Sequence, residues 1–88
     1  MPAPKVTVYT KDHCPCCVRA KRLLEKKGVG YEEIDVAGDD QLRGWLVEQT
    51  GQLTVPQIFA GTRPLGGFTD LDALDRQGRL DPILRGEP

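Results

Sequence analysis

The sequence predicts an α/β fold in which helices cover both faces of a four-stranded mixed sheet. Three observations carry that expectation. Between Val6 and Val36 a period-two apolar run, a basic amphipathic stretch and a second β-type run follow one another, the order of a βαβ unit. Two later β-type runs turn around Gly61, which marks a hairpin. At 88 residues the chain is one small domain, residues 1–88, with room for a modest core and a single active site.

The elements follow in order. Val6 and Val8 alternate with Thr7 and Tyr9, the signature of a strand. Pro15 suits the first position of a helix, where its missing N–H costs nothing and its φ is already helical, so Cys14 becomes the N-cap. Cys17, Ala20 and Leu24 then share a face flanked by Leu23, and Gly28 ends the helix behind Lys26 and Lys27. Tyr31 to Val36 reads as the second strand, with Ile34 and Val36 inward and the pairing parallel through a right-handed crossover. Asp39 or Asp40 caps a second helix that carries Leu42, Trp45 and Leu46 on one face and stops at Gly51. Its weak point is Gly44, worth about 1 kcal/mol less than Ala in a helix interior. Gln57 to Ala60 and Thr62 to Leu65 form the hairpin, and Pro64, which cannot donate to a ladder, makes the last strand an edge. Thr69 with Asp72 resembles a capping box for a third helix bearing Leu71 and Leu74 and stopping at Gly78; Leu80, Ile83 and Leu84 form a last short turn.

Composition and charge narrow the function. With 39% hydrophobic and 28% charged residues, the chain has the balance of a soluble globular domain. Its apolar runs all fall short of the roughly 20 residues of a spanning helix, so no membrane partner is expected. The N-terminal Met-Pro-Ala-Pro-Lys has neither the apolar core of a secretory signal nor the Arg/Ser character of a transit peptide, which places the chain in the cytoplasm. Six cations against two carboxylates in residues 11–27 give that stretch a net +4, although the whole chain carries −1. A positive field of this kind attracts anionic thiols or acidic protein surfaces. It is too short, and too free of interleaved aromatics, for nucleic acid.

The chemistry sits in Cys14-Pro15-Cys16-Cys17. Three cysteines within four residues cannot staple a fold, and in a reducing compartment they indicate catalysis or metal binding. Cys14 at the N-cap can accept hydrogen bonds from the N–H groups of Cys16 and Cys17, which, with the helix dipole and Lys11, favour the thiolate. Cys17, one turn on, faces the same side half-buried beneath Cys14 and stays protonated until needed, so it is the resolving thiol. Cys16 points away from both, as an extra thiol or an unreactive one. His13 with the three cysteines offers four soft donors, but structural zinc draws on two separated ligand pairs and the chain has no second cluster, so no metal is expected. His13 reads as a solvent-facing loop residue.

Three blocks in order, Tyr9-Thr10-Lys11-x-x-Cys14-Pro15-x-Cys17, Thr54-Val55-Pro56 and Gly66-Gly67-Phe68-Thr69-Asp70-Leu71, make the chain resemble a glutaredoxin of the short bacterial dithiol kind, over Val6 to Leu84. The resemblance implies a thioredoxin fold and glutathione as co-substrate, bound in a groove beside Cys14. It implies that Lys11 and Arg43 hold the glycine carboxylate as a two-cation clamp. It also implies that Pro56 is cis, that the Val55 backbone pairs with the cysteinyl part, and that Thr54 and Pro56 are among the glutathione-binding residues. Gly67 allows close backbone approach, and Thr69 and Asp70 open a helix that binds the γ-glutamyl end, with Asp70 toward its ammonium. Position 16 departs from the family pattern, which has Tyr or Phe where this chain has Cys16.

The reading is a glutathione-dependent thiol–disulfide oxidoreductase, a monomer acting on glutathionylated or disulfide-containing proteins. Two alternatives share the fold. One is a redoxin reduced by a flavoenzyme, which failure of glutathione to reduce the oxidised protein would favour. The other is an iron–sulfur carrier in which two chains bridge a cluster through Cys14 and glutathione, which brown colour after anaerobic purification would favour. A structural metal-binding module is a third class, and it predicts unfolding on chelation.

Overall fold

The computed structural model describes residues 3–52 and 54–86, so the 1–88 domain reading extends past the described chain at both ends. In chain order the elements are β1 (Val6–Thr10), α1 (Pro15–Lys26), β2 (Tyr31–Asp35), α2 (Asp40–Thr50), β3 (Gln57–Ala60), β4 (Arg63–Gly66), α3 (Phe68–Arg76) and α4 (Leu80–Leu84). Among the described residues the strands form one four-stranded sheet in the order β2-β1-β3-β4. β1 pairs parallel with β2, Val6 opposite Tyr31, and antiparallel with β3, Val8 opposite Ile58. β3 and β4 pair antiparallel, with a bulge at Ile58/Phe59.

A central strand between two helical layers must be apolar on both faces, and β1 is. Val6 and Val8 enter a core with Ala20 and Leu24 of α1, Ile58, Leu71 of α3, and Leu80, Ile83 and Leu84 of α4. Tyr9, on the alternate face, packs with Val36, Phe59 and Leu46 of α2. Tyr9 and Phe59 meet edge to face at 5.5 Å, and Trp45 stacks on Phe59 at 5.6 Å.

The ends of the helices follow local chemistry. Asp39 Oδ1 accepts from the Leu42 N–H at 3.0 Å, which settles the cap of α2 on Asp39, and Gly51 closes the helix in the left-handed region. Lys27 bridges Asp75 at the end of α3 and Asp81 in α4, tying the end of α1 to both.

Three expectations need correction. β2 ends at Asp35, and Val36 lies just beyond it, its N–H donating to the Thr10 carbonyl. β4 is displaced by one residue, because Gly61 and Thr62 together make the turn. α3 begins two residues before the expected site. Gly67 is its N-cap and Asp70, not Asp72, reaches back, its carboxylate accepting from the Gly67 N–H at 3.1 Å. The carboxylate three residues beyond the true cap decides the start, and that puts Thr69 inside the first turn.

Candidate active site

Strand β1 leads into a turn at Asp12 and His13, where His13 takes φ +59°, and the chain returns to extended geometry at Cys14. That return makes Cys14 the N-cap of α1. The Cys17 N–H donates to Cys14 Sγ at 3.3 Å, and the Cys14 thiol points at the Val55 carbonyl, 3.7 Å away. A hydrogen bond from an N–H to sulfur strengthens when the sulfur carries charge. The second expected donor, the Cys16 N–H, does not take part. The cap geometry aligns only the N–H three residues on, the N3 position to which N-cap side chains commonly bond.

The three thiols are free and differ in setting. Cys17 is 2% exposed beneath Cys14. Burial first, and then the hydrogen bond with Cys14, push its thiol up to about 12, against the opposing backbone N–H of Lys11 and the charge of Lys21. Cys16 is exposed and off this axis. Among the described residues no three His, Cys, Asp or Glu side chains converge as a metal site.

Opposite Cys14 stands the segment Thr54-Val55-Pro56, whose Val55–Pro56 bond is cis. Gln57 holds it from behind. Its side chain is almost fully buried, and its Nε2 donates to the Thr54 carbonyl at 2.8 Å and to Gln52 Oε1 at 3.0 Å. Beyond Pro56 lies the start of α3, where a Cβ on Gly67 would come within 3.3 Å of the Pro56 carbonyl.

Two grooves meet at Lys11. One, of about 430 Å³, is lined by Lys11, Arg43, Thr54 and Val55 over the apolar Val36 and Leu46. The other, of about 570 Å³, holds Cys14 and Cys17 with Lys11, Lys21 and Glu33. The fold thus gathers Lys11, Arg43, Thr54 and Val55, which are scattered in the sequence, beside the Cys14–Val55 contact. Arg43 also pairs with Asp40 at 3.8 Å on its own helix. Gly67, Thr69 and Asp70 lie on the far side of Pro56, and Asp70 faces a separate cavity of about 490 Å³ shared with Gln52 and Gln57. They do not join Lys11 and Arg43 in one groove.

Sequence reasoning missed two parts of the site. Gln57 was read only as the start of a strand, although a lone amide in an otherwise apolar strand, next to Pro56, was the available signal. The Lys21–Glu33 pair, 3.0 Å apart and braced by Thr10 Oγ1 donating to Glu33 at 2.9 Å, had no local signal. The hydrogen bond from Lys21, and then that from Thr10, hold the Glu33 carboxyl below the usual carboxylate range.

Comparison with known proteins agrees with this geometry. The glutaredoxin family model matches residues 6–64. A glutaredoxin of Pseudomonas aeruginosa is 48% identical over 92% of this chain and 96% of its own length. Glutaredoxin 3 of Escherichia coli K12 is 46% identical over 91% of this chain and 96% of its own. Among solved structures, the glutaredoxin of Brucella melitensis superposes with a TM-score of 0.87 at 42% identity, over all of this chain and 97% of that one. The buckwheat glutaredoxin–glutathione complex gives 0.86 at 32% identity, over 92% of this chain and 76% of that one. The chain belongs to the glutaredoxin family, in its short bacterial form, and its chemistry is thiol–disulfide oxidoreduction on a thioredoxin fold.

Proposed function

We propose that the protein is a glutathione-dependent oxidoreductase in which Cys14 is the nucleophile and Cys17 the resolving thiol. The observation that carries this reading is the pairing of Cys14, capped by the Cys17 N–H and facing Val55, with a cationic groove beside it. Cys14 attacks the glutathionyl sulfur of a protein–glutathione disulfide, and the protein thiolate leaves and takes up a proton. A second glutathione thiolate then attacks the same glutathionyl sulfur, freeing Cys14 and releasing glutathione disulfide. When the substrate is a protein disulfide, Cys14 first forms a mixed disulfide with one of its sulfurs as the other leaves as a thiolate; Cys17 then attacks Cys14 Sγ, closing the Cys14–Cys17 bond as the second protein thiolate leaves.

Glutathione has two carboxylates and an ammonium, and the site offers a partner for each. Lys11 and Arg43 suit the glycine carboxylate. The Val55 backbone suits the cysteinyl portion, held in place by the Gln57 clamp on Thr54. The first turn of α3, with Gly67, Thr69 and Asp70, suits the γ-glutamyl end. The buckwheat relative, solved as a glutathione complex, supports this choice of thiol.

The test is replacement of each cysteine by Ser, followed by assay on a glutathionylated peptide. Cys14→Ser should abolish deglutathionylation, whereas Cys17→Ser should retain it and lose only protein-disulfide reduction. Deglutathionylation surviving Cys14→Ser would sink the assignment.

A further inference from the structure

The resolving step asks Cys17 to ionise where burial opposes it. Among the described residues the side-chain cation whose charge favours the thiolate is Lys21, one helical turn further along α1 and lining the same groove as both thiols. Lys21 is not a freely swinging surface lysine. Its side chain is 25% exposed and its Nζ is 3.0 Å from Glu33 Oε2 on β2, which also accepts from Thr10 Oγ1 on β1. Thr10 is itself almost fully buried in the central strand, so the anchor is rigid. The other charged or titratable groups lining this groove are Lys11, Asp12 and His13 in the loop, Cys14 at the cap and Asp35 at the end of β2.

We propose that Lys21, pinned by Glu33 and Thr10 one turn beyond Cys17, is a positioning charge for the resolving thiol and sets how readily the enzyme takes the dithiol route. In that step Cys17 loses its proton to water in the groove and its thiolate attacks Cys14 Sγ. The Cys14–Cys17 bond forms as the bond from Cys14 to the substrate sulfur breaks, and the departing thiolate is protonated by water. Over the whole reaction the cysteine pair gives up two electrons and the substrate disulfide gains them. Glu33 is the anchor and not the base, because its hydrogen bonds from Lys21 and Thr10 occupy its carboxylate and favour its ionised form. Without Lys21 the one favourable side-chain charge acting on the thiol is lost, which opposes ionisation.

This inference rests on the dithiol reading above, and the experiment separates the two. Reduced protein is mixed with oxidised glutathione, quenched in acid at intervals, and analysed by mass spectrometry for the Cys14–glutathione adduct and the Cys14–Cys17 disulfide. In Lys21→Met, closure should slow about tenfold relative to adduct formation at neutral pH, equivalent to one pKa unit at Cys17. Its closure profile should run parallel to that of wild type but displaced to higher pH, and Lys21→Arg should restore it. Closure in Lys21→Met within about twofold of wild type overturns the inference, since about tenfold is the effect of one pKa unit. So does failure of Lys21→Arg to rescue, which would mark a packing role. Cys17→Ser should stop at the adduct; an intramolecular disulfide forming in that variant would instead refute the dithiol reading itself.

Discussion

Replacing Gly66 by Ala should damage stability and glutathione use together, and the structure gives the size of the effect. Gly66 ends β4 with φ +92°, a conformation that costs a residue with a Cβ roughly 1–3 kcal/mol. A Cβ there would fall 2.3 Å from Asp70 Oδ2 and 2.8 Å from Asp70 Cβ, so the carboxylate must swing away. Swinging it away breaks the 3.1 Å bond from the Gly67 N–H that caps α3. A lost cap of this kind is worth about 1 kcal/mol. The sum is about 2–4 kcal/mol, or a fall in Tm of roughly 10–30 °C for a domain of this size. Because Asp70 and the first turn of α3 stand at the proposed γ-glutamyl end, KM for glutathione should rise as well. Gly44→Ala is the matched control. Its Cβ meets nothing within 4 Å inside α2, so stability should rise by about 1 kcal/mol. Thermal and urea unfolding of both variants decide the matter. A Gly66→Ala protein within about 0.5 kcal/mol of wild type, the scatter of ordinary surface substitutions, would refute the reasoning.

Three further outcomes follow. Leu24, fully buried in the core between α1 and the sheet, should cost about 2–5 kcal/mol when cut to Ala, read from the urea midpoint. Both tyrosines should resist ionisation in the folded protein. Tyr31 is pushed up to about 12, chiefly by donating to Glu25 at 2.7 Å, and Tyr9 is raised chiefly by burial. Since the folded value of Tyr31 lies above the unfolded 10.0, its contribution is intact below pH 10.0 and fades as pH climbs toward 12. Absorbance at about 295 nm should therefore rise later in native than in denatured protein, and coincident titrations would contradict this. Cys16→Ser should leave both thiol–disulfide routes unchanged in turnover assays, because Cys16 is exposed and off the Cys14–Cys17 axis.

Local chemistry and the pairing of β1 with β2 and of β3 with β4 were legible in the sequence, and long-range side-chain contacts were not. Cys14 before Pro15 specified a cap, Asp39 and Gly51 bounded α2, and Pro64 marked the edge strand; each depends only on neighbours within a few residues. The start of α3 was misread because Thr69 and Asp72 offered a plausible box, while the real one pairs Asp70 with a glycine that has no side chain to advertise it. Helical spacing put Leu42, Trp45 and Leu46 on one face of α2, and all three meet the Tyr9–Phe59 side of the sheet. The cationic groove was foreseen through resemblance alone, since Lys11 and Arg43 are brought together only by the parallel pairing of β1 with β2. The Lys21–Glu33 pair was invisible for the same reason, and Gln57 showed only as a lone amide beside Pro56, its partners unmarked. Their partners lie across a loop or on another element, where spacing carries no information.

The central claim is that Cys14 is the sulfur through which glutathione enters. The direct measurement is mass spectrometry of protein equilibrated with reduced and oxidised glutathione, digested under acid so that sulfurs do not exchange, with the adduct mapped to its residue. The account predicts the glutathionyl group on Cys14, accumulating in Cys17→Ser and giving way to a Cys14–Cys17 disulfide in wild type. An adduct carried by Cys16, or none on Cys14 in the Cys17→Ser protein, would contradict it.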